Sequence, residues 1–224
     1  MNPTTPPYRY PRWLRNVLLA VGFVSLAGLT AVVADVVAND SEATTLTFTD
    51  PVDRLMIDVA NGDVNIVGSD EPAVTIEIVT YGGLRSPDHH ETVRDGTLTI
   101  GAGCGDTPFT PTCSIDYIVH VPRGVDIVAR GDGTDYDMSG ISGDVDVSLD
   151  GGDAGMRFAT TPSMVHARTD GGDISIVVPP RVGHHVVASS DGGSTHVGIA
   201  TDPDSPYVID AHSNGGDVTI ERAE

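Results

Sequence analysis

The sequence predicts an all-β chain, a β-solenoid or β-helix-like stack of short strands with Gly-Asp turns, preceded by one N-terminal transmembrane helix. Three observations predict it: apolar residues alternate with polar ones from Leu55 onward, Asp/Asn-Gly turns recur through the C-terminal half, and one uncharged run near the N-terminus is long enough for a bilayer. The turns open at Arg130, Asp150, Asp170, Asp191 and Asn214, and so stand 20, 20, 21 and 23 residues apart. A period near 20 means one small supersecondary unit per repeat, and such a unit buries its inner face only by stacking on its neighbours. A flat β-sandwich alternates too, but has no reason to repeat its turn chemistry at one interval.

The first element is the membrane segment. Val17 to Ala34 carries no charge, and 18 residues at ~1.5 Å rise make ~27 Å of helix, close to the hydrocarbon thickness of a bilayer. Arg9, Arg12 and Arg15 precede it with Trp13 among them, and Asp35, Asp40 and Glu42 follow. The basic flank keeps the N-terminus in the cytoplasm and exports the rest. The reading is a cytoplasmic tail over 1–16, an anchor over 17–38, a linker over 39–50 and an extracytoplasmic domain over 51–224. The rival is a secretory signal cleaved after Ala34 or Ala38, both of which follow residue types that suit a signal peptidase.

In the exported part, Leu55, Ile57 and Val59 alternate before Asn61-Gly62-Asp63 turns the chain into Val64 and Ile66. Val74, Ile76 and Ile78, then Leu98 and Ile100, then Ile115, Tyr117, Val119 and Val121 mark further strands. Cys104 and Cys113 are the only cysteines and lie in a Gly, Thr and Pro loop, so an exported context predicts a local disulfide between them. A zinc site would need more ligands, and the nearest histidine, His120, belongs to an alternating run.

The repeat follows. Five residues before the turns stand Val125, Val145, Val165, Val186 and Ile209, and three before stand Ile127, Val147, Ala167, Ala188 and Ala211. Six residues after each turn opens come Tyr136, Met156, Ile176, Val197 and Ile220, so an inward-facing strand is expected on both sides of every corner. Glycine suits corners that need positive φ, and Asp or Asn folds its short side chain onto backbone amides. The acidic column so formed, Asp150, Asp170 and Asp191 with Asp153, Asp173 and Asp217 beside it, is also a set of candidate Ca²⁺ ligands, because carboxylates ~4.8 Å apart repel and attract a counter-ion. No other cofactor is expected.

The chain has 32 Asp and Glu against 12 Arg and no Lys, a formal charge of −20. That excludes nucleic acid, whose phosphates require a basic surface. No Gly-x-Ser-x-Gly elbow, phosphate-binding loop or His-Glu-x-x-His motif occurs. His89-His90 and His184-His185 read as solvated loop residues, since neighbours on a strand point to opposite faces.

The anchor followed by Asn61-Gly62-Asp63-Val64, Ser142-Gly143-Asp144-Val145 and Asn214-Gly215-Gly216-Asp217-Val218 resembles the putative adhesin domain of bacterial surface proteins, over roughly residues 45–223. The resemblance implies an extracytoplasmic β-solenoid-like domain and supplies no catalytic or binding residues. The expected function is that of a non-enzymatic surface module held in the membrane by its N-terminal helix, its acidic face turned to an envelope polymer or surface protein. The alternatives are a carbohydrate-active β-helix enzyme using pairs among Asp150, Asp153, Asp170, Asp173 and Asp191, for which a retaining mechanism needs two carboxyls ~5 to 5.5 Å apart, and an envelope-signalling accessory protein.

Overall fold

The computed structural model describes residues 40–82, 87–105, 113–180 and 182–223. The tail predicted for 1–16 and the anchor predicted for 17–38 lie outside the described residues. Within them the chain is all-β, with no helix and one open sheet of 15 strands.

The strands in order are β1 (Asp40–Phe48), β2 (Arg54–Ser69), β3 (Val74–Gly82), β4 (Asp88–Arg94), β5 (Thr97–Gly103) and β6 (Ser114–Pro122). Then come β7 (Asp126–Ile141), β8 (Val145–Leu149), β9 (Ala154–Phe158), β10 (Met164–Thr169) and β11 (Ile174–Val178). The last four are β12 (His185–Ser190), β13 (Thr195–Val197), β14 (Val208–Ser213) and β15 (Val218–Arg222).

Two faces enclose the core, joined by β2 and β7, which are 16 residues long and bend at mid-length. The Asn61-Gly62 turn is therefore a corner within one strand, with Asn61 in the left-handed region at φ 65°. One face runs β4, β5, the first half of β2, the first half of β7, β8, β10, β14 and β12. The other runs β1, β3, β6, the second halves of β2 and β7, β9, β11, β15 and β13. Antiparallel pairing is confined to β1–β3, β3–β6 and β4–β5, at one end; every pair through the repeat is parallel.

Alternation decides what is buried. Even and odd positions of a strand face opposite ways, so Val145, Val147 and Leu149 lie inside β8 while Asp146 and Ser148 face out. The inner columns are in register: Ile127 pairs with Val145, Val145 with Val165, and Tyr136, Met138, Ala154, Met156, Ile174 and Ile176 continue the other face, all 2% exposed or less.

Three expectations need correction. Neighbour order does not follow chain order: Val165 pairs with Ile209, and Ile209 in turn with Val186, so β14–β15 slots between β10–β11 and β12–β13. The rung with the poorest inner face takes the outside position. Ile209 and Ile220 are fully buried, whereas Thr195 and Val197 are exposed. The sheet also begins earlier than residue 51, because Asp40–Phe48, read as linker, hydrogen-bonds along β3 and packs Leu46 and Phe48 on the core. Finally, His89 and His90 belong to a strand, β4, rather than to a loop, and of the other pair His184 is fully buried and His185 opens β12.

Candidate functional site

The corners at Asp170 and Asn214 combine three residue types at fixed places, and the other corners carry part of the set. In the turns that open at Asp150, Asp170 and Asn214 the fourth residue is an aspartate, and carboxylates reach across from rung to rung: Asp153 N–H donates to Asp135 Oδ1 (2.8 Å), Asp173 N–H to Asp153 Oδ1 (2.7 Å) and Asp217 N–H to Asp173 Oδ1 (2.7 Å). The chain of bonds ends where Ser194 replaces aspartate and donates to Asp217 Oδ1 from both its amide and its hydroxyl. Those bonds hold the Asp217 carboxyl below the usual range, the Ser194 amide contributing most.

Before the turns that open at Asp170, Asp191 and Asn214 the preceding residue supplies a hydroxyl. Thr169 donates to the carbonyl of Gly152, Ser213 to Gly172 and Ser190 to Gly216, at 3.1, 2.8 and 2.6 Å. Each hydroxyl also accepts an amide of its own turn, from Gly172, Gly216 and Gly193. The second glycine of each corner answers to close approach more than to φ. Gly152 alone among Gly152, Gly172, Gly193 and Gly216 has positive φ, at 91°, but a Cβ on Gly172 would fall inside the carbonyl oxygen of Gly152 and 2.7 Å from Asp153 Oδ1.

Of the six aspartates named as calcium candidates, Asp153, Asp173 and Asp217 thus accept amides of the neighbouring rung. Asp150, Asp170 and Asp191 stand exposed where the turns open, and Asn214 enters between the last two, donating its side-chain amide to Asp170 Oδ1 at 2.6 Å. Among the described residues no group of three or more His, Cys, Asp or Glu side chains is placed to hold a metal ion.

A second feature lies on the outer surface of the first face, at the antiparallel end. Met56 and Asp58 of β2, Thr99 and Gly101 of β5, Val128 and Arg130 of β7, and Asp88 and His90 of β4 line a groove of about 650 Å³. Gly101 leaves the room. The His90 ring lies over it, 2.7 Å (Nε2) from where a Cβ would stand. Arg130 is held to Asp146 by both terminal nitrogens, Nη1 at 3.2 Å and Nη2 at 3.3 Å, so the groove's cation is already balanced.

On the inner side of β4, the Glu91 carboxylate is 5% exposed and accepts from the Tyr117 hydroxyl at 2.9 Å, with His89 Nδ1 3.0 Å away. Burial, then the Glu91 hydrogen bond, pushes the Tyr117 phenol up, and burial followed by the Asp58 charge does the same to Tyr136, so both stay neutral donors. The Tyr136 hydroxyl donates a hydrogen bond to the Arg130 carbonyl at 2.5 Å. This chain from Tyr117 through Glu91 to His89 ties the edge strand to the opposite face and fixes the groove's wall. The expected bond between Cys104 and Cys113 is present, with Cα atoms 5.9 Å apart, next to Gly103 and Gly105 at the groove's end. Sequence reasoning did not find the groove. Its only trace was a glycine, Gly101, inside a strand pattern, where close approach of another group is the usual cause.

No family model matches the chain, and no curated protein matches it. Solved structures do. The crystal structure of a putative cell adhesion protein from Clostridium sporogenes superimposes with a TM-score of 0.60 at 10% identity, covering 83% of this chain and 100% of that one. A putative adhesin from Bacteroides fragilis matches with a TM-score of 0.34 at 13% identity, over 81% of this chain and 97% of that one. The first likeness shows a shared fold.

Proposed function

We propose that this chain is a non-enzymatic cell-surface interaction module of the bacterial adhesin type, a solenoid-like stack held outside the membrane by the N-terminal segment and offering its outer faces to an envelope polymer or surface protein. One observation carries the reading. Much of the polar chemistry in the repeat goes into holding rungs together: Asp153, Asp173 and Asp217 accept neighbouring amides and corner hydroxyls bridge glycine carbonyls, while Asp150 and Asp191 stand exposed on the outer surface. What is left is an acidic scaffold with a groove in which Met56 and Val128 stand among Asp58, Asp88, His90 and Arg130. The fold shared with the clostridial cell adhesion protein and the Cys104–Cys113 bond, at home in an oxidising compartment, support it.

The test is retention of envelope fractions on immobilised full chain at low and high salt. Saturable retention that falls in a Met56→Asp, Val128→Asp variant is the expected result. No saturable retention at any salt concentration overturns the reading, and release of reducing ends from envelope polysaccharide would show an enzyme instead.

A further inference from the structure

The start of the β12 edge carries a cover that the rest of that edge lacks. β12 pairs with β14 on one side, and its inner residues Val186 and Ala188 are only half-buried. His184 stands two and four residues before them, on the same face of the chain, yet it is fully buried. What covers it is the segment 200–205, which crosses back over the edge after β13. Thr201 bridges to His184, whose N–H donates to the Ala200 carbonyl (3.1 Å) and whose carbonyl accepts from Asp202 N–H (2.8 Å). The Ser205 hydroxyl adds a bond to the Gly183 carbonyl at 2.7 Å. Gly183 permits so close a crossing, since a Cβ there would stand 3.1 Å from the Asp202 Cβ.

This strap has a narrow footing. Ala200 to Asp204 are exposed, and among the described residues the bonds between the strap and the chain it crosses all end on Gly183 and His184. The others, Ser205 N–H to the Asp202 carbonyl, Asp204 N–H to Asp202 Oδ1 and Tyr207 N–H to Ser205 Oγ, close the strap's own turn. Segments with few buried apolar contacts and exposed hydrogen bonds are the first to open.

Beneath the strap lies a group that water would charge. Both ring nitrogens of His184 are buried without a hydrogen-bond partner, and the ring faces Tyr207 at 6.1 Å. Burial lowers its pKa from 6.5, and the Val182 carbonyl opposes this without reversing it. The titratable side chains around it are Tyr207 on the β14 side, Asp202 and Asp204 on the strap, and His185 next along the strand. Asp202 and Asp204 are exposed, Asp202 Oδ1 is taken by the Asp204 amide, and His185 points to the opposite face. None of them donates to or accepts from the buried ring.

We propose that residues 200–205 are a strap latched by neutral His184, and that protonation of this imidazole releases the strap and leaves the start of the β12 edge without its partner. Opening moves the ring into water, where it takes up a proton, so acid favours the open form. With an ordinary pKa of 6.5 in the open form and a closed form that stays neutral, the open fraction rises up to ~10-fold between pH 7.5 and 5.5.

The experiment is amide hydrogen exchange on the full chain in detergent at those two pH values, corrected for the intrinsic pH dependence of exchange. Peptides holding the His184 and Asp202 amides are expected to exchange up to ~10-fold faster at pH 5.5, with β8 and β10 unchanged. His184→Phe fills the same place without a titratable group and removes the acceleration. Gly183→Cys with Asp202→Cys, oxidised, ties the strap down and removes it too, because the two Cβ positions are near enough for a disulfide. The far-UV spectrum reports whether each variant is folded. Exchange at His184 and Asp202 that does not respond to pH, equal acceleration in β8 and β10, or acceleration that persists in folded His184→Phe or in the tied protein each overturns the proposal. If His184→Phe does not fold, the tied protein decides. Retention of envelope material plays no part in this test, so the two readings fail separately.

Discussion

Gly171 and Gly172 are adjacent, chemically identical and predicted to respond oppositely to one methyl group. On Gly171 a Cβ meets nothing nearer than the Gly151 Cα at 3.8 Å, an ordinary contact, and its φ lies outside the left-handed region. Gly171→Ala is therefore neutral, or stabilising by up to ~1 kcal/mol through the unfolded chain. On Gly172 the same methyl occupies the place of the Gly152 carbonyl oxygen, which already accepts the Thr169 hydroxyl, and crowds Asp153 Oδ1, which accepts the Asp173 amide. One rung must draw back from the next by roughly 1 Å to restore van der Waals contact. Overpacking costs about 1–3 kcal/mol, and two weakened hydrogen bonds add about 1 kcal/mol each. Gly172→Ala should cost about 3–5 kcal/mol, which for a chain of this size lowers Tm by roughly 6–20 °C. Paired urea and thermal melts followed by circular dichroism measure it. If the two alanine variants melt within about 2 °C of each other, close stacking of the second glycine does not hold the corners together.

The hydroxyl column makes a similar prediction. Ser213→Ala leaves the Gly172 carbonyl and the Gly216 amide without their buried partner and should cost about 2 kcal/mol, while Ser190→Ala, in the end rung where water reaches the turn, costs less; chemical denaturation distinguishes them. His184 is fully buried, both ring nitrogens lack a hydrogen-bond partner, and its ring faces Tyr207 at 6.1 Å. Burial lowers its pKa from 6.5, so the neutral form's stability is present above that value and is lost as pH falls from it toward the folded pKa. His184→Phe should therefore flatten the decline in Tm between pH 7 and 5, and an unchanged decline refutes this. For calcium, each of Asp153, Asp173 and Asp217 already spends one oxygen on a neighbouring amide. The melt is expected to be the same with calcium and with chelator, and a rise with calcium concentration would restore those carboxylates as ligands.

The repeat was legible because its inner columns carry a period: Val145 and Val165, or Met156 and Ile176, could be set side by side from spacing alone, and they pair in the structure. Neighbour order was not legible. Val165 accepts Ile209 or Val186 equally well, since both rungs offer a branched residue there, and only Thr195, in a column that holds Ala154, Ile174 and Val218 in the neighbouring rungs, hints that the 185–197 rung belongs outside. β1 escaped notice because threonines surround its two inward residues, Leu46 and Phe48. The corner aspartates were read as serving their own turns. That their carboxylates reach the amides one rung away depends on stacking distance, which no single repeat encodes. Glu91 and Tyr117, 26 positions apart, meet only because β4 and β6 lie at the same end of opposite faces.

The interposed position of β14 and β15 sets a constraint on how the molecule is assembled in time. A coil laid down in order could close each layer as the ribosome delivers it, but here residues 185–197 cannot take their final place until residues 208–222 have arrived to separate them from β10 and β11. That later segment is therefore a keystone. A chain stopped at Tyr207 would lose an interior layer, not an outer one, leaving its neighbours either apart or wrongly joined, and it should be degraded or aggregate far more readily than one trimmed of a true outer layer.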